Sequence, residues 1–140
     1  MLIGITGPAF SGKGTIANHL CWTHGYTCEA FADPLRDGLF ALFGLLPHHL
    51  KFAASIVIPD VRFVDEAQLI HSHGGVIWRV IRPGAETTAH SDHTSEQEQQ
   101  RIVADVELIN DGTIQELQRA VDTALRALES DPHSPRFVAA

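Results

Sequence analysis

A glycine-rich segment near the start of the chain has the residue types and the spacing of a phosphate-binding loop. Gly7, Gly12 and Lys13 fit the pattern G-x-x-x-x-G-K, and Thr15 follows one residue later than the usual serine or threonine. Backbone N–H groups of such a loop point at phosphate oxygens, and the lysine amine reaches the outer phosphates. We therefore predict that a nucleoside triphosphate binds here, on Gly7, Ser11, Gly12, Lys13, Gly14 and Thr15.

The elements on either side of this loop favour the phosphate-binding interpretation over a glycine-rich turn that matches by chance. An apolar run from Leu2 to Ile5 predicts a buried strand before the loop, and Thr15 to Trp22 predicts a helix behind it. The N-terminus of a helix carries partial positive charge, which adds to the attraction for phosphate.

Charged residues also follow three further predicted strands. These strands are expected at Tyr26 to Ala32, Ser55 to Ile58 and Val76 to Ile81. The charged residues are Asp33 and Arg36 after the first, Asp60 and Arg62 after the second, and Arg82 after the third. Ligands of an open parallel sheet bind at the carboxyl ends of its strands, so we expect these side chains to lie near the phosphate loop.

Each of these residues has a catalytic interpretation, and most have a structural alternative. Arginine grips phosphate through paired hydrogen bonds, but Arg36 and Arg62 could instead form surface salt bridges. Asp60 could hold Mg²⁺ through water, or it could cap a helix or form a turn. Asp33 could orient the acceptor oxygen, and it could also cap the helix that begins at Pro34. The candidate catalytic residues are Lys13, Asp33, Arg36, Arg62 and Arg82, and the candidate Mg²⁺ ligands are Thr15 and Asp60.

Strands alternate with helical patterns along most of the chain. Further helices are predicted at Val64 to His73 and Thr113 to Leu128, and a last strand at Val106 to Ile109. This alternation predicts an α/β fold with a mostly parallel five-stranded sheet and helices on both faces. We expect one domain over residues 1–129 and a flexible C-terminal tail over residues 130–140.

The composition is that of a globular protein, and it bears on three questions: nucleic-acid binding, the redox compartment and membrane insertion. The chain has 140 residues, 44% of them hydrophobic, and a formal net charge of −7, which disfavours non-specific binding to nucleic acid. Two cysteines do not make a disulfide framework, so a reducing cytoplasm is expected. No apolar stretch approaches the ~20 residues that span a bilayer, and the N-terminus leads directly into the loop rather than a signal peptide.

A polar stretch from Arg79 to Gln100 is predicted to close over the phosphates and exclude water. Its residues His90, Asp92, His93 and Glu96 could bind a metal, but their spacing matches no strong zinc pattern, and a solvated loop is the favoured alternative.

Several segments, in this order along the chain, resemble bacteriophage deoxynucleoside monophosphate kinases. They include Gly7–Thr15, Phe31–Arg36, Ile58–Phe63, Gly74–Gly75, Ile81–Gly84, His93–Glu96 and Asn110–Thr113. The resemblance implies a P-loop kinase fold and transfer of the ATP γ-phosphate, with Mg²⁺, to a deoxynucleoside 5′-monophosphate. It also implies that Asp33 and Arg36 lie by the acceptor, and that Arg82 belongs to the donor side. A phage-encoded kinase would work in the host cytoplasm, and a second copy of the chain, in a homodimer, is a candidate partner.

The chain departs from that family where the acceptor nucleotide is enclosed. Family members usually carry a long helical insertion there, whereas this chain has only Leu45 to Ala54 in that interval. An open acceptor side leaves two alternatives to a free nucleotide. One is a kinase that phosphorylates a hydroxymethylated base, hydroxymethyluracil, in phage DNA. The other is a nucleotide-binding module without catalytic activity.

Overall fold

The computed structural model describes residues 1–29, 55–84, 94–130 and 137–139. Within these ranges the strands are β1 (Leu2–Thr6), β2 (Thr27–Cys28), β3 (Ile56–Ile58), β4 (Val76–Ile81), β5 (Val106–Ile109) and β6 (Phe137–Ala139). The helices are α1 (Lys13–His24), α2 (Val64–Ser72), α3 (Thr94–Arg101) and α4 (Ile114–Ser130). The predicted helix after Pro34 lies outside the described residues.

The strands form one sheet in the order β2-β3-β1-β4-β5-β6, and every neighbouring pair is parallel. The prediction of a parallel α/β sheet is confirmed, but the sheet has six strands among the described residues instead of five. The additional strand, β6, pairs with β5 within the segment that we expected to be a flexible tail. Three residues that follow a proline-containing stretch are too short to show a strand periodicity in the sequence.

Two apolar clusters lie on opposite faces of the sheet. Ile77 and Trp78 are adjacent on β4 but belong to different clusters, as alternating strand side chains require. One cluster contains the buried faces of α1 and α4, and the other contains Ala67 and Ile70 of α2. The prediction of helices on both faces is therefore confirmed.

The sheet order places β1 between β3 and β4, so the carboxyl ends of these three strands share one edge. Helix α1 leaves β1 on one face, while α2 leaves β3 on the other. Such a divergence opens a crevice at the carboxyl ends of the two strands, which is where open α/β sheets bind ligands. Among the described residues, no helix has both the length and the apolar character needed to cross a membrane.

Candidate phosphate-binding site

The loop between β1 and α1 depends on glycine at two positions. Gly7 has φ 145°, and a Cβ there would lie 2.6 Å from the Val80 carbonyl oxygen. Gly12 has φ 108°, and a Cβ there would lie 2.6 Å from Asn110 Nδ2. Both values of φ are positive, in a region that L side chains rarely adopt, so a side chain at either position would displace the loop or its neighbours.

Phe10, at the tip of the loop, is the single non-glycine residue with positive φ (60°) among the described residues. Its side chain is 80% exposed, so packing of the ring does not account for the conformation. A left-handed conformation costs about 1–2 kcal/mol for an L residue, and such strain concentrates at functional sites.

Side chains from three other parts of the sheet edge bind the carbonyl oxygens of the loop. Gln99 Nε2, on α3, donates to Gly7 O at 3.0 Å, and Arg82 Nη1, after β4, donates to Phe10 O at 3.2 Å. Asn110 Nδ2, after β5, donates to Ser11 O at 2.8 Å. These hydrogen bonds to the carbonyls stabilise the curled conformation of the loop. In that conformation the loop N–H groups can donate hydrogen bonds to phosphate oxygens.

Lys13 lies at the start of α1, and its amine folds back onto the same loop. Nζ donates to Gly7 O at 2.6 Å and to Pro8 O at 2.7 Å. Burial lowers the pKa of Lys13 below its ordinary value, although the charge of Asp60 works in the opposite direction and that of Arg62 adds to the lowering. The hydrogen-bond acceptors of this half-buried cation are neutral carbonyls, so an anionic ligand would stabilise its charged form.

The remaining loop residues provide polar groups and space. Ser11 is fully buried, and its Oγ has no hydrogen-bond partner among the described residues. Gly14 is exposed, and a Cβ there would meet nothing within 4 Å. Thr15 is partly exposed in the first turn of α1. A buried hydroxyl without a partner is costly, so this loop suits a ligand rich in acceptor oxygens, such as a polyphosphate.

Asp60 and Arg62 follow β3 and form an ion pair, with Arg62 Nε 2.7 Å from Asp60 Oδ1. Both side chains are more than a third exposed, so this pair contributes little to stability. The helix-cap alternative for Asp60 is wrong, because α2 begins after Phe63, and Glu66 Oε2 accepts the N–H groups of Arg62 (2.8 Å) and Phe63 (3.1 Å). Asp60 instead lies close enough to Lys13 to affect its pKa.

Most of the described site residues therefore meet at one edge of the sheet. The phosphate loop with Lys13, Asp60 with Arg62, and Arg82 come together there, as their positions after predicted strands indicated. Asp33 and Arg36 lie outside the described residues, as do residues 85–93 of the predicted closing segment. The last residues of that segment, from Thr94 to Gln100, belong to a helix, α3, which contacts the loop through Gln99.

The sequence alone predicted no role for the Gln99 side chain, and it marked Asn110 only as part of a family-like segment. Gln99 is 92 residues from Gly7, and Asn110 is 99 residues from Ser11. The position of Asn110 directly after a predicted strand was a usable signal, since the same argument placed Asp60 at the site. No comparable signal marked Gln99, which lies in a polar helix.

Comparisons with known proteins agree with this geometry. No protein-family model matches the chain. A curated relative from Acanthamoeba polyphaga mimivirus, provisionally named a deoxynucleotide monophosphate kinase, is 28% identical over an alignment of 178 positions that covers 83% of this chain and 91% of the relative. A sugar kinase structure from Janibacter sp. HTCC2649 matches with a TM-score of 0.57 and 14% identity, covering 94% of this chain and 95% of that chain.

Shikimate kinase from Aquifex aeolicus matches with a TM-score of 0.56 and 15% identity, covering 94% of this chain and 98% of that chain. The fold is that of a P-loop kinase. The predictions of this fold and of a phosphotransferase enzyme are confirmed. The compounds on which the three named proteins act differ, so the acceptor has to be argued from this chain's own residues.

Proposed function

We propose that this protein transfers the γ-phosphate of ATP to a deoxynucleoside 5′-monophosphate with the help of Mg²⁺. The observation that carries the proposal is the phosphate loop itself. Its carbonyls are held from outside by Gln99, Arg82 and Asn110, while Lys13 and the buried Ser11 hydroxyl have no charged partner within it. The name of the mimivirus relative supports the choice of acceptor.

The donor side needs little beyond positioning and charge neutralisation, since phosphoryl transfer requires little covalent work from a protein. Lys13 would exchange its two loop carbonyls for phosphate oxygens, and the loop N–H groups would orient the α- and β-phosphates. Arg82, already bonded to the loop at Phe10, and Arg62 would add positive charge on either side. These groups stabilise the transition state if they hold the γ-phosphate in line with the acceptor oxygen.

Thr15 and Asp60 fit a magnesium site in the chemistry of their donor atoms. Both offer oxygen, which a hard cation prefers, and both belong to segments that meet beside Lys13. When bound, Mg²⁺ would supply positive charge to the phosphate oxygens. The ion pair with Arg62 orients the Asp60 carboxylate, since Nε holds Oδ1 at 2.7 Å.

The acceptor side rests on Asp33 and Arg36, by position and family resemblance. Asp33 would orient or accept the proton of the acceptor oxygen, and Arg36 would hold the acceptor's phosphate. The alignment with the mimivirus relative has 178 positions, more than the 140 residues of this chain, so the relative fills positions that this chain lacks. This agrees with a shortened acceptor region and makes the acceptor the part of the proposal to test first.

A panel of acceptors tests the proposal. The protein is incubated with γ-labelled ATP and Mg²⁺, with each of the deoxynucleoside monophosphates, with DNA containing hydroxymethyluracil, and with no acceptor. We expect label on a free monophosphate. Label confined to the DNA would replace the acceptor with a modified base, and ATP binding without transfer to any acceptor would indicate a non-catalytic module.

Replacing Asp33 by Asn tests the assignment of the acceptor side. We expect Asp33→Asn to lower the transfer rate about 10²-fold or more, because a positioned base contributes ~10²–10⁴-fold, while ATP affinity stays within about twofold. Steady-state rates and titration calorimetry with an ATP analogue measure the two effects. Equal loss of rate and affinity would assign Asp33 to donor binding or to helix capping.

A further inference from the structure

A second polar cluster lies at the opposite end of α1 from the phosphate loop. His19 and His24, both on α1, converge on one oxygen of Asp122 on α4. The distances to Asp122 Oδ1 are 2.7 Å from His19 Nε2 and 2.8 Å from His24 Nε2, and the three donor atoms lie within 4.8 Å of one another. None of the motifs that predicted the phosphate-binding site includes any of these three residues.

The donor set is the kind that zinc and its neighbours in the transition series prefer. Two imidazole nitrogens and one carboxylate oxygen match the three-ligand sites in which water or a further ligand completes a tetrahedron. Bonds of about 2.0–2.2 Å to a central ion would place neighbouring donors ~3.3 Å apart. The two N–O distances in the cluster, 2.7 and 2.8 Å, are about half an ångström shorter than this donor separation.

The surroundings also fit a metal site. Thr23 Oγ1 lies 3.2 Å from His19 Nδ1 and can accept a hydrogen bond from Nδ1–H in the tautomer whose Nε2 lone pair would bind the ion. The His19 side chain is only 9% exposed, whereas His24 and Asp122 are 30% and 29% exposed, so an ion could enter from solvent. His24 is the last residue of α1, where the helix dipole favours positive charge.

We propose that His19, His24 and Asp122 form a binding site for one divalent transition-metal ion of the zinc class. The ion would join α1 to α4 by coordinate bonds in place of the two hydrogen bonds. His24 follows Lys13 by eleven positions and His19 follows it by six, which correspond to roughly 16 Å and about 9 Å along the helix at ~1.5 Å per residue. The site is therefore separate from the phosphates and from the proposed magnesium ligands, and it acts on the stability of the fold.

The test uses the full-length protein without a histidine tag, freed of metal by a chelator. Zn²⁺ is titrated by calorimetry, and Co²⁺ is followed by its visible absorption, which reports the coordination geometry. We expect one equivalent to bind, with a tetrahedral cobalt spectrum and a higher melting temperature in Zn²⁺. Absence of saturable binding would overturn the proposal.

Two variants and a matched control locate the ion. Asp122→Asn and His24→Gln remove one ligand each while preserving side-chain size, and we expect each to weaken Zn²⁺ binding by more than ~10-fold, because even outer-shell changes cost ~10–100-fold. His73→Gln changes an exposed histidine at the end of α2 and should bind Zn²⁺ like the unmodified protein. If both ligand variants bound Zn²⁺ as tightly as the unmodified protein, the ion would lie elsewhere and the proposal would be overturned. Circular dichroism confirms that each variant is folded.

Discussion

The two ends of helix α1 carry polar groups of opposite character. At its N-terminus, Lys13 and the loop N–H groups present positive charge, and the lysine's hydrogen-bond acceptors are neutral carbonyls. At its C-terminus, His19 and His24 share one carboxylate oxygen of Asp122. The aligned peptide dipoles make the first end suitable for an anion and the second for a cation. The middle of the helix is packed, with Ile16 and Leu20 fully buried, so both ends are held by the same core.

The polar clusters at the two ends of α1 lie in different parts of the fold. The loop end lies at the carboxyl edge of the sheet, where several strands bring their charges together. The histidine end lies between two helices on one face, away from that edge. We therefore expect changes at the first end to affect catalysis and changes at the second to affect metal binding and stability.

The largest expected effect is that of Lys13→Ala. Removal of the amine takes away the main positive side chain of the loop, so phosphoryl transfer should fall by ~10²–10³-fold, the range seen for lost transition-state donors. The folded state should be retained, because Lys13 bonds only to carbonyls of its own loop among the contacts described. Initial rates, melting temperature and Zn²⁺ titration measure these effects.

Unchanged Zn²⁺ binding in the same variant would show that the two ends of α1 act independently. Retained phosphoryl transfer would show instead that the loop does not hold the donor.

A smaller effect is expected for Asn110→Ala. The Ser11 carbonyl would lose its 2.8 Å hydrogen bond, and Gly12 would lose the amide that packs against it. Loss of one hydrogen bond that orders the loop is worth about 1.4 kcal/mol, which corresponds to about 10-fold weaker ATP binding. Calorimetry with ADP gives the affinity, and Asp111→Ala, at the exposed neighbouring residue, is the matched control.

If Asn110→Ala and Asp111→Ala bound ADP equally well, the loop would hold its conformation without support from β5. Side-chain hydrogen bonds to the loop carbonyls would then not be what prepares this end of α1 for a nucleotide.

The smallest expected effect is a pH dependence of nucleotide binding. Burial lowers the pKa of Lys13, with Asp60 opposing and Arg62 adding to the shift, so the amine loses its proton at a lower pH than a free lysine. A polyphosphate binds the charged amine better, so ADP affinity should fall as pH rises through that lowered pKa. Calorimetry from neutral to alkaline pH measures the fall.

Lys13→Gln is the control for this pH dependence, because it has no proton to lose at this position. It should bind more weakly and with little change over the same range. An equal alkaline fall in both proteins would assign the titration to another group.

Local sequence patterns predicted the elements around the glycine-rich loop well. The glycine spacing requires a particular backbone path, and Leu2–Thr6 and Lys13–His24 form the strand and helix expected around it. Asp60, Arg62 and Arg82 were placed correctly beside the loop, because parallel strands bring their carboxyl ends to one edge. Their proposed roles in catalysis, like those of Asp33 and Arg36, stay predictions.

Other features were beyond the reach of the sequence patterns. Strand β6 is three residues long, and helix α3 begins within a segment that was predicted to be a closing loop. The support of the loop by Gln99 depends on where α3 packs, and a polar helix carries no apolar stripe that would reveal its position.

The sequence by itself determined the conformation of the glycine-rich loop, because Gly7 and Gly12 permit a backbone path that other residues would strain. Only the tertiary structure decided which distant side chains complete each end of α1. Asn110 reaches Ser11 because β5 lies two strands from β1, and Asp122 reaches His19 because α1 and α4 pack on the same face. Those contacts depend on strand order and helix packing, which arise from burial of the whole apolar core rather than from any local pattern.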